Sequence, residues 1–223
     1  MIADAVPEVV SSAEVFADPP DVELFDSERA VVARSVEKRR LEFASVRHCA
    51  REALAAIGHP PAPLLNGKRG APLWPAGVVG SMTHCAGYRA AVVARDTDVY
   101  TIGIDAEPHH ELPSGVLPSI SLPEERAQLA SLSLSDRTVR WDRLLFSCKE
   151  AVFKAWYPVT HRELGFDEAS ITIDPVGRTF SGRLLPAGPL VQGRRLQRFN
   201  GRWLVRDGLV LTAITVLAAP GKT

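Results

Sequence analysis

Two short segments carry residue types that can do chemistry together. Gly103-Ile104-Asp105-Ala106-Glu107 sets two carboxylates one residue apart, and Lys149-Glu150-Ala151-Val152-Phe153-Lys154 sets a third carboxylate between two lysines. Hard oxygen ligands of this kind suit Mg²⁺, which binds through one or two carboxylates, keeps several waters and is completed by substrate phosphates. A lysine beside them can neutralise charge that builds as a P–O bond breaks. The predicted site is a metal and phosphate centre, with Asp105, Glu107 and Glu150 on the metal and Lys154 on phosphate. Each segment alone has a plainer reading. Asp-x-Glu at a strand end is commonly a solvated edge, and Glu150 with Lys154 is commonly a surface ion pair worth about 0.3–0.5 kcal/mol. Their combination carries the stronger one.

The local patterns say how these side chains are presented. Tyr100-Thr101-Ile102-Gly103-Ile104 is rich in β-branched and aromatic residues, which favours a strand. Strand side chains alternate, so Asp105 and Glu107 share a face while Ala106 turns to the core. A helix is predicted over 138–157, with Trp141, Leu145, Cys148, Val152 and Ala155 on its apolar stripe and Glu150 and Lys154 one turn apart on another face. Upstream, a second helix begins near Ser35 as N-cap, buries Phe43, Ala50, Leu54 and Ile57, and stops at Gly58. Arg40, Arg47 and Arg51 line one flank of it, with Arg39 nearby. A Pro- and Gly-rich loop over 59–80 follows, in which Gly67, Gly70 and Gly77 let backbone approach a flat ligand. Strands over 78–83, 89–95 and 99–106 suit one antiparallel sheet, and Thr83-His84 ends the first. A short strand is expected over 13–16. After Pro108 a second round runs through a helix near 123–131, the lysine-bearing helix, and strands over 170–173, 178–185, 196–206 and 209–217. Helices followed by antiparallel strands, twice, make an α+β protein.

At 223 residues the chain holds one large domain or two small lobes, and 46% hydrophobic with 23% charged residues is ordinary for a globular protein. It contains no apolar stretch of membrane-spanning length, and Met1-Ile2-Ala3-Asp4 lacks the basic start of a signal peptide, so cytoplasmic residence is the expectation. Net charge is +0 but unevenly spread. Residues 1–28 carry acids and no Lys or Arg, whereas Arg29, Arg34, Lys38, Arg39, Arg40, Arg47, Arg51, Lys68 and Arg69 follow. Such a local basic field suits a polyanionic small molecule or an acidic protein, not nucleic acid, which calls for a basic chain overall. Cys49, Cys85 and Cys148 are odd in number and sit in apolar surroundings, as reduced and mostly buried thiols do.

Gly103-Ile104-Asp105-Ala106-Glu107 and Phe146-Ser147-Cys148-Lys149-Glu150-Ala151-Val152-Phe153-Lys154 resemble the two signature motifs of the Sfp-type 4′-phosphopantetheinyl transferases. The resemblance extends to Arg39-Arg40-Leu41-Glu42-Phe43, Arg47-His48-Cys49-Ala50-Arg51, Gly70-Ala71-Pro72-Leu73-Trp74-Pro75 and Gly80-Ser81-Met82-Thr83-His84. Within the family the chain looks most like the actinobacterial branch, near the enterobactin synthetase component D subgroup and closest to mycobacterial members. The departures are Ala106, where a bulkier residue often stands, and Phe146, where many members have Trp.

The resemblance implies two similar lobes related by a pseudo-two-fold axis, 1–106 and 107–223, each with helices on a small antiparallel sheet and CoA in the cleft between them. It implies a holo-acyl-carrier-protein synthase type of activity: transfer of phosphopantetheine from CoA to a serine of apo carrier domains, with Mg²⁺, releasing adenosine 3′,5′-bisphosphate. Arg39 and Arg47 would hold the 3′-phosphate, Gly70 and Pro72 would lie along the adenine, and Lys68 or Arg69 would reach a phosphate. Thr83 and His84 would contact the CoA phosphates. Glu150, directly or through a water, would take the serine proton. Lys154 would stabilise the departing phosphate, and Lys149 would assist that charge or orient Glu150. Phe153 and Trp156 would border the pantetheine channel unless they are plain core. Carrier domains of polyketide, non-ribosomal peptide or fatty-acid synthases are the implied partners, docking near 112–128, and one chain supplying both halves of a cleft favours a monomer. Two rival classes are a magnesium-dependent nucleotide hydrolase and a CoA-binding protein without turnover.

Overall fold

Two antiparallel sheets, each with a long helix laid on it, organise the computed structural model, which describes residues 1–191 and 193–218. In chain order the elements are β1 (Ser11–Val15), α1 (Asp26–Val32), α2 (Glu37–Ala56), β2 (Val78–Cys85), β3 (Tyr88–Arg95), β4 (Val99–Pro108), α3 (Val116–Ile120), α4 (Pro123–Ser135) and α5 (Trp141–Thr160). Then come β5 (Ala169–Asp174), β6 (Thr179–Leu184), the hairpin β7 (Leu190–Val191) and β8 (Arg194–Arg195), β9 (Arg198–Arg206) and β10 (Leu209–Leu217). The mixture of helices and antiparallel sheets is the α+β class that the sequence pattern implies.

The first sheet runs β1-β3-β2. α2 covers it with Cys49, Ala50, Ala53 and Leu54, spaced by one turn or less, packed on Ala91 and Val93 of β3. The helix ends at Ile57, and Gly58, at φ +85°, turns the chain away in the left-handed region that glycine tolerates best. Its start differs from expectation. Val36, not Ser35, is the N-cap: its carbonyl accepts the first bond of the helix from Arg40 N at 3.1 Å, while the Ser35 amide donates to Val32 O and closes the turn after α1. α1 itself has little periodic signal and is held from outside: the buried Glu28 carboxylate accepts from Leu64 N at 2.8 Å and pairs with Arg51.

The second sheet runs β4-β10-β9-β6-β5. The strand pattern predicted β4 beside β2 and β3, but β4 pairs with β10 instead, with Asp105 opposite Thr212. β2 still abuts β4, through side chains: Ile104 N donates to Ser81 Oγ at 3.1 Å and Ala106 N to Thr83 Oγ1 at 3.0 Å. Hydrogen bonding therefore gives β4 to the second sheet. One face of β4 buries Ile102, Ile104 and Ala106 in a core shared with Tyr88, Ala90 and Val92 of β3. The other face meets α5, whose Leu144, Leu145, Cys148, Ala151, Val152 and Ala155 form the larger core.

Gly103 sets how closely α5 lies on β4. A Cβ there would overlap the Ala151 carbonyl oxygen and stand 2.6 Å from Ala155 N, so only glycine permits the contact. Thr101 Oγ1 donates to Ala155 O at 2.8 Å, and Ser147 and Thr212 hydroxyls meet at 2.8 Å, tying the same helix to β4 and β10. No helix among the described residues is long and apolar enough to cross a membrane.

Candidate active site

With α5 seated at Gly103, Asp105 and Glu107 project toward one flank of that helix. Asp105 is buried, with Oδ1 accepting from Lys154 Nζ at 2.8 Å and Oδ2 buried without a hydrogen-bond partner. Glu107 accepts through Oε2 from Arg143 Nη1 at 2.9 Å. Burial, and secondly the Asp105 charge, push the Glu107 carboxyl up to about 7. The same two causes raise the Glu150 carboxyl. Each acid thus feels its neighbour, as carboxylates sharing a site do.

Among the described residues no three His, Cys, Asp or Glu side chains already stand as a closed metal-ligand set. Two of the three acids lean on cations of α5 instead. The donor set nevertheless fits a hard divalent cation: oxygen ligands only, one oxygen of Asp105 unpartnered in a buried position, and neighbouring acids held toward protonation by burial and by the Asp105 charge.

Beside these acids opens a cleft of about 1110 Å³, bordered by α2, the loop before β2, β2 itself and α5. Arg39, Arg47, Lys68, Arg69, Gly70, Pro72, Thr83, His84, Glu150, Phe153 and Lys154 all line it, so the structure gathers these expected residues in one place. Arg47 is largely buried, stacks its guanidinium 3.6 Å above the Phe43 ring, and donates to Leu64 O and Asn66 Oδ1. Burial lowers its pKa to about 10, so it stays charged at neutral pH. Arg39 Nη1 lies 2.9 Å from His84 Nε2, and burial followed by the Arg39 charge lowers the His84 pKa. Two cations and a neutral imidazole face the same space. Arg69, left-handed at φ 58°, forms an ion pair with Glu163, which follows α5. A Cβ on Gly80 would come 2.6 Å from Val92 O and 2.8 Å from the Trp74 ring, so glycine lets Trp74 lie flat against β2 as part of the wall.

Other expected residues are placed differently. Lys149 does not face the acids: its ammonium is buried and bonded to Glu125 Oε2 at 2.8 Å, Ala169 O at 3.1 Å and Phe166 O. With all three donors used in these bonds, it ties α5 to α4 and β5, and among the described residues it makes no hydrogen bond to the Glu150 carboxylate. Thr83 borders the cleft, and its hydroxyl accepts from Ala106 N at 3.0 Å while its own O–H remains to donate. Arg40 turns back to Ser35 O and Arg51 to Glu28, leaving Arg39 and Arg47 as the members of the basic flank that reach the cleft. Trp156 is core, with its indole donating to Arg162 O. Arg143 and Glu163 were not singled out from the sequence. Arg143 was legible, since it precedes Glu150 by seven residues and Lys154 by eleven and so falls on their flank; nothing local marks Glu163.

A family model described as the 4′-phosphopantetheinyl transferase N-terminal domain matches residues 27–94, and one described as the 4′-phosphopantetheinyl transferase superfamily matches 101–200. The second match begins inside β4, in line with that strand's place in the second sheet. The chain is 57% identical to the 4′-phosphopantetheinyl transferase Svp of Streptomyces mobaraensis, over 99% of this chain and 91% of that one. It is 50% identical to PptT of Mycobacterium tuberculosis, also a 4′-phosphopantetheinyl transferase, over 97% and 98% of the two chains. With enterobactin synthase component D of Salmonella typhi it shares 33% identity over 81% and 73%.

Proposed function

Because the chain belongs to the 4′-phosphopantetheinyl transferase superfamily, we propose that it moves the 4′-phosphopantetheine arm of CoA to a serine hydroxyl of an apo carrier-protein domain, releasing adenosine 3′,5′-bisphosphate. The observation that carries the site assignment is the buried, unpartnered Oδ2 of Asp105 beside two acids held toward protonation. Asp105, Glu107 and Glu150 would hold Mg²⁺, which supplies charge neutralisation at the CoA diphosphate when bound.

The chain's own residues supply the rest. Arg39 and Arg47, from α2, anchor the 3′-phosphate, and His84, whose Nε2 accepts from Arg39, leaves its other ring nitrogen as a donor in the same phosphate region. Gly70 and Pro72 lie along the adenine, with Lys68 or Arg69 as a further phosphate cation. Glu150, its proton affinity raised, accepts the serine proton as the serine oxygen bonds to the β-phosphorus. The bond from that phosphorus to the bridging oxygen breaks, and its electron pair leaves on the α-phosphate. Lys154, at the junction of the acids and the cleft, meets that charge. Phe153 borders the path of the pantetheine arm. One chain furnishes every group named, which supports a monomer, and a CoA donor supports work in the cytoplasm. The carriers are those of polyketide, non-ribosomal peptide or fatty-acid synthases, docking near 112–128.

Incubation with CoA, Mg²⁺ and an apo carrier domain, followed by intact-mass measurement of the carrier, tests this reading. A gain equal to the phosphopantetheine arm, lost in Asp105→Ala with the fold intact, is expected. CoA breakdown with an unmodified carrier selects a hydrolase, and CoA binding with neither product selects a protein without turnover.

A further inference from the structure

We propose that Arg143 is a positioning residue that holds Glu107 in place as a metal ligand, the counterpart on β4's outer acid of what Lys154 does for Asp105. Arg143, Glu150 and Lys154 stand at i, i+7 and i+11 of α5 and so share one flank of the helix. The two cations at the ends of this row each grip one acid by a single oxygen: Lys154 takes Asp105 Oδ1 at 2.8 Å, and Arg143 takes Glu107 Oε2 at 2.9 Å. In both acids the second oxygen carries no protein hydrogen bond among the described residues. The acids are held by one oxygen and left open at the other, with Glu150 between the two cations along the helix.

Arg143 does more than neutralise. Its Nε donates to His110 O at 3.0 Å and its Nη2 to Glu111 O at 2.9 Å, so one guanidinium binds the Glu107 carboxylate and the backbone that follows it. The segment is further closed by His109, whose Nε2 accepts from Arg140 N at 3.0 Å. Only 15% of the Arg143 side chain is exposed, and its bond to Glu107 is partly buried. A planar fork with donors in fixed directions can serve three acceptors at once, and a lysine ammonium cannot reproduce that geometry. Glu107 lies near the end of its strand, where a long side chain would otherwise sample several rotamers. Groups that orient a metal-ligating carboxylate typically change metal affinity about 10–100-fold when lost.

This inference rests on the magnesium reading above, and its test separates the two. Mn²⁺ affinity of the CoA-loaded full chain is measured from the free-ion EPR signal in the native protein, Glu107→Gln, Arg143→Met and Arg143→Lys. Melting temperature and CoA affinity are recorded in chelator. Arg143→Met should weaken Mn²⁺ binding about 10–100-fold, Arg143→Lys should fall between it and the native protein, and CoA affinity without metal should not move. Unchanged or tighter Mn²⁺ binding in Arg143→Met overturns the proposal, as does a lowered melting temperature with Mn²⁺ affinity kept. If the Met variant does not fold, native-like Mn²⁺ affinity in the Lys variant overturns it equally. Native-like binding by Glu107→Gln refutes Glu107 as a ligand and takes this inference with it, whereas weakened Glu107→Gln beside unaffected Arg143 variants refutes the Arg143 role alone.

Discussion

A single buried oxygen on Asp105, left without a partner, organises the charges around it. Beside it Glu107, raised first by its burial and then by the Asp105 charge, keeps its proton up to about pH 7 in the folded chain against an ordinary 4.5. Between those values the folded state binds more protons than the unfolded one, so this carboxyl's contribution to stability falls as pH rises through that window. A divalent cation can take the proton's place only where the acid ionises. The rise in melting temperature produced by Mg²⁺ should therefore be larger above pH 7 than below it, and Glu107→Gln should flatten the difference; equal rises at every pH would contradict the shared site. Arg47 makes a second prediction at this scale. Buried over Phe43 and already bonded to Leu64 O and Asn66, it offers its remaining donors to the cleft. Charge-assisted bonds are worth about 1.5–3 kcal/mol, so Arg47→Ala should weaken CoA roughly tenfold to a hundredfold and dephospho-CoA much less. Equal losses for both ligands remove the 3′-phosphate from its role. These residue types were readable in the sequence because hard acids and phosphate-binding cations are distinctive, but which oxygen lacks a partner was not.

At the scale of elements, α5 joins the core to the chemistry. Its apolar stripe was legible from Trp141, Leu145, Cys148, Val152 and Ala155, all of which the structure buries. The seat it finds on β4 depends on Gly103, which looks unremarkable in sequence and acts only because Ala151 and Ala155 approach it. Lys149 shows the limit of motif reading. Adjacent to Glu150 in the chain, it points into the core and pairs with Glu125 of α4, an acid far from any motif. Breaking a buried pair from one side costs about 3–5 kcal/mol, so Lys149→Met should lower the melting temperature by roughly 6–20 °C at about 2–4 °C per kcal/mol for a chain of this size. Adding Glu125→Gln should restore much of that loss, and the double variant should still modify a carrier. A stable double variant without transfer would return Lys149 to the chemistry.

At the scale of the whole molecule, the cleft exists because two sheets are laced edge to edge by the Ser81 and Thr83 hydroxyls on the β4 amides. Its walls come from α2 and β2 on one side and α5 on the other, so a ligand filling it is held by both halves of the chain. CoA at a hundred times its Kd should add about 2.7 kcal/mol to stability, a rise of roughly 5–11 °C in the melting temperature. A calorimetric scan in which CoA moves nothing would refute the cleft as its site. The sequence by itself determined the strand that presents Asp105 and Glu107, the helix that presents Glu150 and Lys154, and the α+β class. Each of these is written in spacings of two, three or four residues, within the reach of one pleat or one helical turn. Only the tertiary structure decided that β4 pairs with β10, that Arg143 grips Glu107, that Lys149 turns inward and that Asp105 keeps one oxygen free. Those outcomes depend on which remote segment arrives alongside, as Thr212 does opposite Asp105, and no local period encodes a neighbour so far along the chain.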